Sequence, residues 1–348
     1  MDREKLVNNL RELCMVHGVS GQEQEVVRLL KKKLSGYEGF FIDSFGNVCV
    51  HIKGRNMAPS LMLVAHSDEV GGIVSRILPN GLLAFRTVGG IDPDTLPAAR
   101  VLVGGLKGTV SCVAAHMRAQ SGKGELFIDI GAEDAEEAAA MGVSVGDGVT
   151  LDTEFAFLGS NRVCSRAIDD RVGCAVLIDV LEGLTDAPLG DLYFAFSVHE
   201  ETNMSGAHML AERYRPDCAV AVDTVPINDV YQSAPGLTVG GGPVLQLMDG
   251  VQTAFSGNCA HPGVKAALLK AAGNAGIPVQ LCADAGSWVT DADSIHRAGT
   301  GIPTAYVSVP RRYAHSASEV LDLRDAYAAA ALLSELIREM DGISLSFI

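Results

Sequence analysis

Apolar positions recur three and four residues apart at the start of the chain. Leu6, Leu10, Leu13 and Cys14 fall on one stripe, which predicts an amphipathic helix over 3–16. Ser20-Gly21 breaks the pattern, and a second helix is predicted over 22–34. The segment 39–53 reads as a hairpin turning near Gly46-Asn47. LMLVAHSDE (61–69) is apolar and then abruptly polar, the form of a buried strand that delivers a site at its C-terminal end. From about 70 to 162 short β-type runs are separated by Gly, Pro and Asp, and only 133–141 has helical texture; this predicts an all-β, barrel-like insert. Helices and strands then alternate: helix 171–183, strand 191–200, helix 205–214, strand 218–223, helix 263–273, strand 279–284, short helix 292–298, strand 304–310 and a closing helix over 325–340. Such alternation predicts an α/β fold with a mostly parallel central sheet covered by helices. The expected organisation is one discontinuous domain, 1–70 plus 163–348, interrupted by the insert 71–162.

Composition narrows the function classes. With 27 Lys and Arg against 42 Asp and Glu the formal charge is −15, and Lys31-Lys32-Lys33 is the longest basic run. Nucleic acid and anionic membranes call for a basic face, so neither is an expected partner. No apolar run approaches the roughly 20 residues of a membrane span. MDREKLVNNL lacks the apolar core of a signal peptide, and none of the eight cysteines forms a C-x-x-C pair. Free thiols in a reducing compartment, and a cytoplasmic location, are the expectation. Several motifs are absent: G-x-S-x-G, the phosphate-binding G-x-x-x-x-G-K-[ST] and H-E-x-x-H. Gly240-Gly241-Gly242 lacks the strand–helix setting of a dinucleotide fingerprint and reads as a loop.

Chemistry concentrates at predicted strand ends: AHSDE (65–69), AIDDR (167–171), HEE (199–201), AVDT (221–224) and RRYAHSASE (311–319). Singly, an acid or histidine at such a place is more often a cap or a surface residue. Together they matter, because strand C-termini of an open α/β sheet converge on one crevice. Several carboxylates and two imidazoles gathered there are costly unless a cation neutralises them. A mixed His/carboxylate set suits zinc, cobalt or manganese, and a carboxylate can bridge two ions in a hydrolytic site. Glu200 and Glu201 would face opposite ways on an ideal strand, so they share a site only if the strand ends before them.

These segments resemble the dinuclear-metal aminopeptidases of the tetrahedral (TET), or glutamyl-aminopeptidase-like, family, which includes deblocking aminopeptidases. The resemblance covers almost the whole chain: VSGQEQEV, AHSDEVGGIV (65–74), AIDDRVGC (167–174), HEETNMSGA (199–207), AVDT (221–224), TDADSIH (290–296) and RRYAHSASEVLDLRD (311–325). It implies an aminopeptidase acting on short peptides with a free α-amine, with two divalent metal ions per subunit, zinc foremost and cobalt or manganese as alternatives. His66 and Asp223 are expected on one metal, Glu201 and His315 on the other, and Asp169 between them. Asp68 is expected to orient His66, the Asp169–Asp170 peptide to be cis, and Glu200 to be the general base. The insert is expected to serve dimerisation, and the family assembles as dimers and often as tetrahedral dodecamers.

Departures from the family pattern lie around the substrate. Thr202-Asn203-Met204-Ser205 follows the Glu pair where Val-Gly-Leu-Arg is usual, and Trp288-Val289 stands where two glycines are usual. Trp288, Asn203 and Met204 are therefore candidate pocket residues, and a narrowed or apolar pocket is expected. His199 reads as a neighbour of the site. His51, His116, His208, His261 and His296 have no motif support, and Asp291 reads as structural. Arg171 is open between pairing with site carboxylates and capping the following helix. Two rival readings remain open on the residues: a catalytically silent assembly or peptide-binding protein on the same fold, and a metal-dependent deacylase or carboxypeptidase.

Overall fold

The computed structural model describes residues 3–105, 108–118, 124–227, 236–251, 256–283 and 288–347. The side chains of Cys112 and His116 lie outside the described residues, as does Asp284 at the end of the expected strand 279–284. The chain opens with helices α1 (Arg3–Met15) and α2 (Gln24–Leu34), the hairpin β1 (Phe40–Ile42) and β2 (Val48–Ile52), and strand β3 (Leu61–His66). Six strands then follow, β4 (Gly71–Ile77), β5 (Leu83–Val88), β6 (Arg100–Gly105), β7 (Gly108–Arg118), β8 (Gly124–Asp129) and β9 (Gly148–Leu151), with the short α3 (Ala135–Ala140) before the last. Their pairings run in a closed ring, β4-β5-β8-β7-β6-β9, around a core that includes Val74, Leu83, Val101, Val103, Ile128 and Val149. Next come β10 (Ala156–Leu158), β11 (Arg162–Ser165), α4 (Ile168–Glu182), β12 (Leu192–Ser197), α5 (Glu200–Asn203), α6 (Ser205–Tyr214), β13 (Cys218–Pro226), β14 (Val244–Gln246), α7 (Pro262–Ala275), β15 (Gln280–Cys282), α8 (Asp291–Ile295), β16 (Thr304–Arg312), β17 (Glu319–Asp322) and α9 (Leu323–Arg338).

The large sheet runs β1-β2-β12-β3-β13-β16-β17-β11-β10, with β14 and β15 added beside β16. The fold is α/β, but the sheet is mixed where a mostly parallel one was expected. Parallel pairing holds among β12, β3, β13 and β16. Both flanks are antiparallel, because β1–β2 returns through a tight turn and β17, β11 and β10 pair head to tail. β17 and β14 escape a periodicity reading because they are only four and three residues long. The central strands are buried from end to end, as in LMLVAH and LYFAFS, since helices cover both faces. α1, α2, α4, α7 and α9 contribute to one core, and α6 and α8 to the other.

A buried ionic knot ties the end of β3 to the helical layer. Glu69 meets Arg166 and Arg171, and all three side chains are inaccessible to solvent. Arg171 also donates to the Leu13 carbonyl at 2.7 Å, and Arg166 to the Val16 carbonyl at 3.2 Å, so the two cations satisfy carbonyls where α1 ends. Arg171 therefore does neither of the jobs considered for it from sequence: its bonds go to Glu69 and to α1. Breaking a buried ion pair by removing one partner costs about 3–5 kcal/mol. Glu69→Ala, which strands two buried guanidinium groups, is expected to lower unfolding stability by roughly that amount. Urea denaturation checks it, and a loss below about 1 kcal/mol would mean the knot is no more than surface-like in strength.

Candidate metal centre

Because β12, β3, β13 and β16 run parallel, their C-terminal ends lie on one side of the sheet. β3 ends at His66. β12 ends at Ser197, three residues before Glu200, and Asp223 sits near the end of β13 beside Ser308 of β16. Arg311 and His315 follow at the end of β16 and beyond it. Asp169 and Asp170 stand at the entry to α4 in non-helical backbone, joined by a cis peptide bond, and the regular helix begins after them.

Asp169 is the centre of the group. Its Oδ1 lies 3.2 Å from His66 Nε2 and its Oδ2 lies 3.2 Å from His315 Nε2, so one oxygen faces each imidazole. His66 Nε2 is also within 3.8 Å of Glu200 and 3.9 Å of Asp223, and His315 Nε2 within 3.5 Å of Glu201. Two sets of donor atoms close enough to hold a cation are His66–Asp170–Asp223 and Asp169–Glu201–His315, and His66 also groups with Glu200 and Glu201. The strand does stop short of the Glu pair, which turns into the short α5. Asp68 fixes that turn, accepting the Glu200 N–H at 3.0 Å and the Glu201 N–H at 3.1 Å, while Ser20 donates its hydroxyl to the same carboxylate. The His66 Nδ1 is 3.4 Å from Asp68.

Two residues quoted in the sequence motifs, Arg311 and Glu319, carry site roles that the sequence reading did not assign. Glu319 accepts the Asp169 N–H at 3.1 Å and the His315 N–H at 2.8 Å. Arg311 bonds Asp169 and Glu319 together. The carbonyl oxygen of Gly90, two residues past β5, lies 3.2 Å from His315 Nδ1, and a Cβ at Gly90 would come within 2.9 Å of that nitrogen. The histidines without motif support take local partners: His51 with Asp191, His208 with the Ser294 carbonyl, His296 with the Ala292 carbonyl and His261 capping α7. His199 faces Glu23, away from the group. Asp291 lies buried under the site, its carboxylate accepting from Ser197.

The electrostatics are those of too many buried acids. Burial first, and then the neighbouring carboxylates, push Glu200, Asp223 and Asp170 well above the usual carboxylate range, and Glu201 up to about 7. Asp169 goes the other way: burial disfavours its charge, but Arg311 and the two imidazoles outweigh that and hold it well below the usual range. Burial also opposes charge on the imidazoles, yet the acids raise His66 well above its ordinary value and His315 to about 9. Among the described residues, buried Asp170 Oδ2 and Glu201 Oε1 find no hydrogen-bond partner. An excess of raised, partly unpartnered carboxylates beside two imidazoles is the donor chemistry that divalent cations satisfy, so the residues present fit a metal centre.

Above the group lies a cavity of about 490 Å³ whose walls include Met204, Val251, Trp288, Val289 and Pro226. Asn203 is not among its lining residues; its side chain accepts the Ser205 N–H and starts α6 instead. Trp288 is anchored through its indole N–H to Gln246, which donates to Ser308 at 2.7 Å. Asp249 holds the Val251 side of the wall, accepting from Asn258 N, Thr290 and the Tyr306 hydroxyl. Burial raises the Asp249 carboxyl to about 6. A carboxyl raised on folding contributes stability that is fully present below its unfolded value and is lost as pH rises through the folded one. Wild type should therefore lose stability relative to Asp249→Asn between about pH 4 and pH 7. Paired urea midpoints at those two pH values test this, and a constant difference between the two proteins would refute it.

Comparisons with known proteins converge. Residues 46–332 match the model of the M42 glutamyl aminopeptidase family. The glutamyl aminopeptidase of Lactococcus lactis is 30% identical over 97% of both chains. The structure of an aminopeptidase from the archaeon Desulfurococcus kamchatkensis superposes with a TM-score of 0.90 at 34% identity, covering 99% of each chain. The Pyrococcus horikoshii TET1 peptidase, described as assembling into a tetrahedron or a large octahedral shell, superposes with a TM-score of 0.84 at 29% identity, covering 96% of this chain and 99% of that one. The chain belongs to the M42 glutamyl aminopeptidase family of metal-dependent peptide hydrolases.

Proposed function

We propose that the chain is a dinuclear-metal aminopeptidase that removes apolar residues from the N-termini of short peptides. The observation that carries this reading is Asp169 offering one oxygen toward each of two imidazoles at the floor of a cavity. His66 and Asp223 would hold one cation, Glu201 and His315 the other, with Asp169 shared and Asp170 close beside. When bound, the cations would polarise the scissile carbonyl and make the attacking water acidic; zinc, cobalt and manganese all suit the donor set. Glu200, 3.8 Å from His66 Nε2 and grouped with the metal-donor atoms, would take the water's proton and return it to the leaving amine. Asp68 keeps Glu200 and Glu201 in position through their N–H groups.

Side-chain preference follows from the wall. Met204, Val251, Trp288 and Val289 present apolar surface. Among the described lining residues the one Arg or Lys is Arg311, already bonded to Asp169 and Glu319. Among the described lining residues no uncommitted cation awaits an acidic side chain, so the reading does not carry over the glutamyl preference in the name of the Lactococcus lactis relative. The β4–β9 ring, in the 71–162 segment, is the surface through which copies of the chain would assemble into dimers and larger closed particles; the TET1 peptidase can assemble into a tetrahedron or a large octahedral shell. Such a particle would admit short peptides rather than folded proteins. Cytoplasmic action belongs to the same reading; among the described residues no helix is long and apolar enough to cross a membrane.

A hydrolysis panel tests the activity. Metal-stripped protein is offered acidic, basic, small and apolar aminoacyl p-nitroanilides, each with an N-acetylated control, and zinc, cobalt or manganese is returned separately. Free-amine, apolar substrates should turn over only with metal. Glu200→Gln should lower kcat by about 100-fold or more, and Trp288→Gly should shift preference toward bulkier side chains. Cleavage of the acetylated controls would indicate a deacylase or deblocking enzyme, and no turnover with any metal would favour a silent assembly protein. A second measurement addresses assembly: light scattering after size exclusion should give a mass that is a multiple of 36.5 kDa, and a monomer at micromolar concentration would remove the assembly role from the insert.

A further inference from the structure

Two stretches near the start of the chain, SGQE (20–23) and Gly46-Asn47, contribute no metal donor, yet both grip the backbone that carries the Glu pair. β12 ends at Ser197, and the backbone N–H groups of the next four residues all meet side chains from elsewhere. Asn47 Oδ1 accepts from Val198 at 3.0 Å, and Glu23 Oε1 accepts from His199 at 3.3 Å. Asp68 accepts from Glu200 and Glu201, and Ser20 donates its hydroxyl to the Asp68 oxygen that takes the Glu201 N–H. These acceptors are themselves fixed. Asn47 donates its amide to Asp43 at 2.8 Å, Glu23 also accepts the Gly21 N–H at 2.8 Å, and Asn47, Glu23 and Asp68 are buried. The other side of the first stretch rests on the six-stranded ring, where His17 Nδ1 lies 2.7 Å from the Thr150 hydroxyl and Gln22 donates to the Gly146 carbonyl at 3.5 Å.

The backbone so held does not hold itself. His199 and Met204 stand at φ 62° and 56°, the left-handed region that residues with a Cβ rarely adopt. The helix between them, α5, has four residues, so nearly all of it is an end whose N–H groups lack intrahelical partners. We infer that Ser20, Glu23 and Asn47 are positioning residues for Glu200: they touch no donor atom of the centre, act through backbone N–H groups, Ser20 by way of Asp68, and set where the carboxylate of the general base stands. This inference rests on the general-base role proposed above for Glu200. Proton transfer requires the base within roughly 2.6–3.2 Å of its water, and a misplacement of about 1 Å can cost on the order of 100-fold in rate. Releasing one of these hydrogen bonds is therefore expected to reach the reaction without touching the metal donors.

Amide exchange and kinetics test this together. Wild type, Ser20→Ala, Ser20→Thr, Glu23→Ala and Glu23→Gln are compared, and thermal melts establish which variants fold. In the metal-free proteins, hydrogen exchange read by mass spectrometry should be about tenfold faster over 198–204 in Ser20→Ala and Glu23→Ala, with β3 and α4 unchanged. At saturating metal, on an apolar aminoacyl p-nitroanilide, the same two variants should lose about tenfold in kcat and keep KM within about threefold. Ser20→Thr keeps the hydroxyl and Glu23→Gln keeps an acceptor oxygen, so both should stay within about threefold of wild type. In a Glu200→Gln background the alanine variants should change the residual rate by no more than about twofold, because an absent base cannot be misplaced. Ser20 is half-buried, and Ser20→Ala serves if Glu23→Ala does not fold. No change in either readout, local exchange without a kcat loss, a kcat loss without local exchange, exchange that rises throughout the protein, or losses that multiply undiminished in the Glu200→Gln background would each overturn the positioning role and leave the general-base reading standing. Wild type inactive with every metal, or Glu200→Gln as active as wild type, would remove the general-base reading and this inference with it.

Discussion

Asp169 is held from three directions at once: by His66 on one oxygen, by His315 and Arg311 on the other, and by Glu319 through its backbone N–H. It is the point at which three separate stretches of chain, near 66, near 169 and over 311–319, agree on a geometry. Around it Asp170 and Asp223 are buried and Glu200 and Glu201 half-buried, all four with their ionisation suppressed. Carboxylates removed from water and placed side by side repel one another, and hydrophobic packing alone does not relieve that repulsion. The chain relieves part of it internally, through Arg311 and two imidazoles. The unrelieved part is what makes the centre a cation site.

The scaffold is arranged to tolerate this crowding. The four parallel strands are buried over their whole length, so the backbone that carries the acids has little freedom to spread. Glu69 with Arg166 and Arg171 joins the end of β3, the end of α1 and the approach to Asp169 into one ionic unit. A one-residue displacement there would move His66 and Asp169 apart, and the shared carboxylate geometry would be lost. Asp68 performs the corresponding service for the Glu pair, using backbone N–H groups at the start of a helical turn.

The acid–imidazole group and the cavity wall come from different parts of the chain. The donors sit on strand ends and their first turns. The cavity wall is built from connections, with Val251 held through Asp249 and Trp288 held through Gln246 and Ser308. The six-stranded ring reaches the centre through Gly90, whose carbonyl lies beside His315. The 71–162 segment therefore meets His315 through the Gly90 carbonyl.

Residue order along the chain already carried the α/β alternation, the all-β texture of the segment after β3, and the places where acids and histidines follow apolar runs. Those features are local: a buried strand shows as an apolar run, and a strand end shows as the switch to polar residues. The convergence of His66, Glu200, Glu201, Asp223 and His315 was legible too, because parallel strands put all their C-termini on one side whatever their order. Tertiary structure decided the rest. Antiparallel flanks made from strands of three or four residues leave too few positions for a period to emerge, so the mixed sheet was hidden. The partner of Arg171 was chosen by α1 and Glu69, far away in the chain. Arg311 pairs with Asp169 across 142 residues, and nothing in RRYAHSASE says which arginine turns inward. Met204 lines the cavity while the side chain of its neighbour Asn203 accepts the Ser205 N–H, because adjacent residues at a helical junction point in different directions. Which charge meets which in a buried site is a property of long-range packing, and a local pattern of residue types does not contain it.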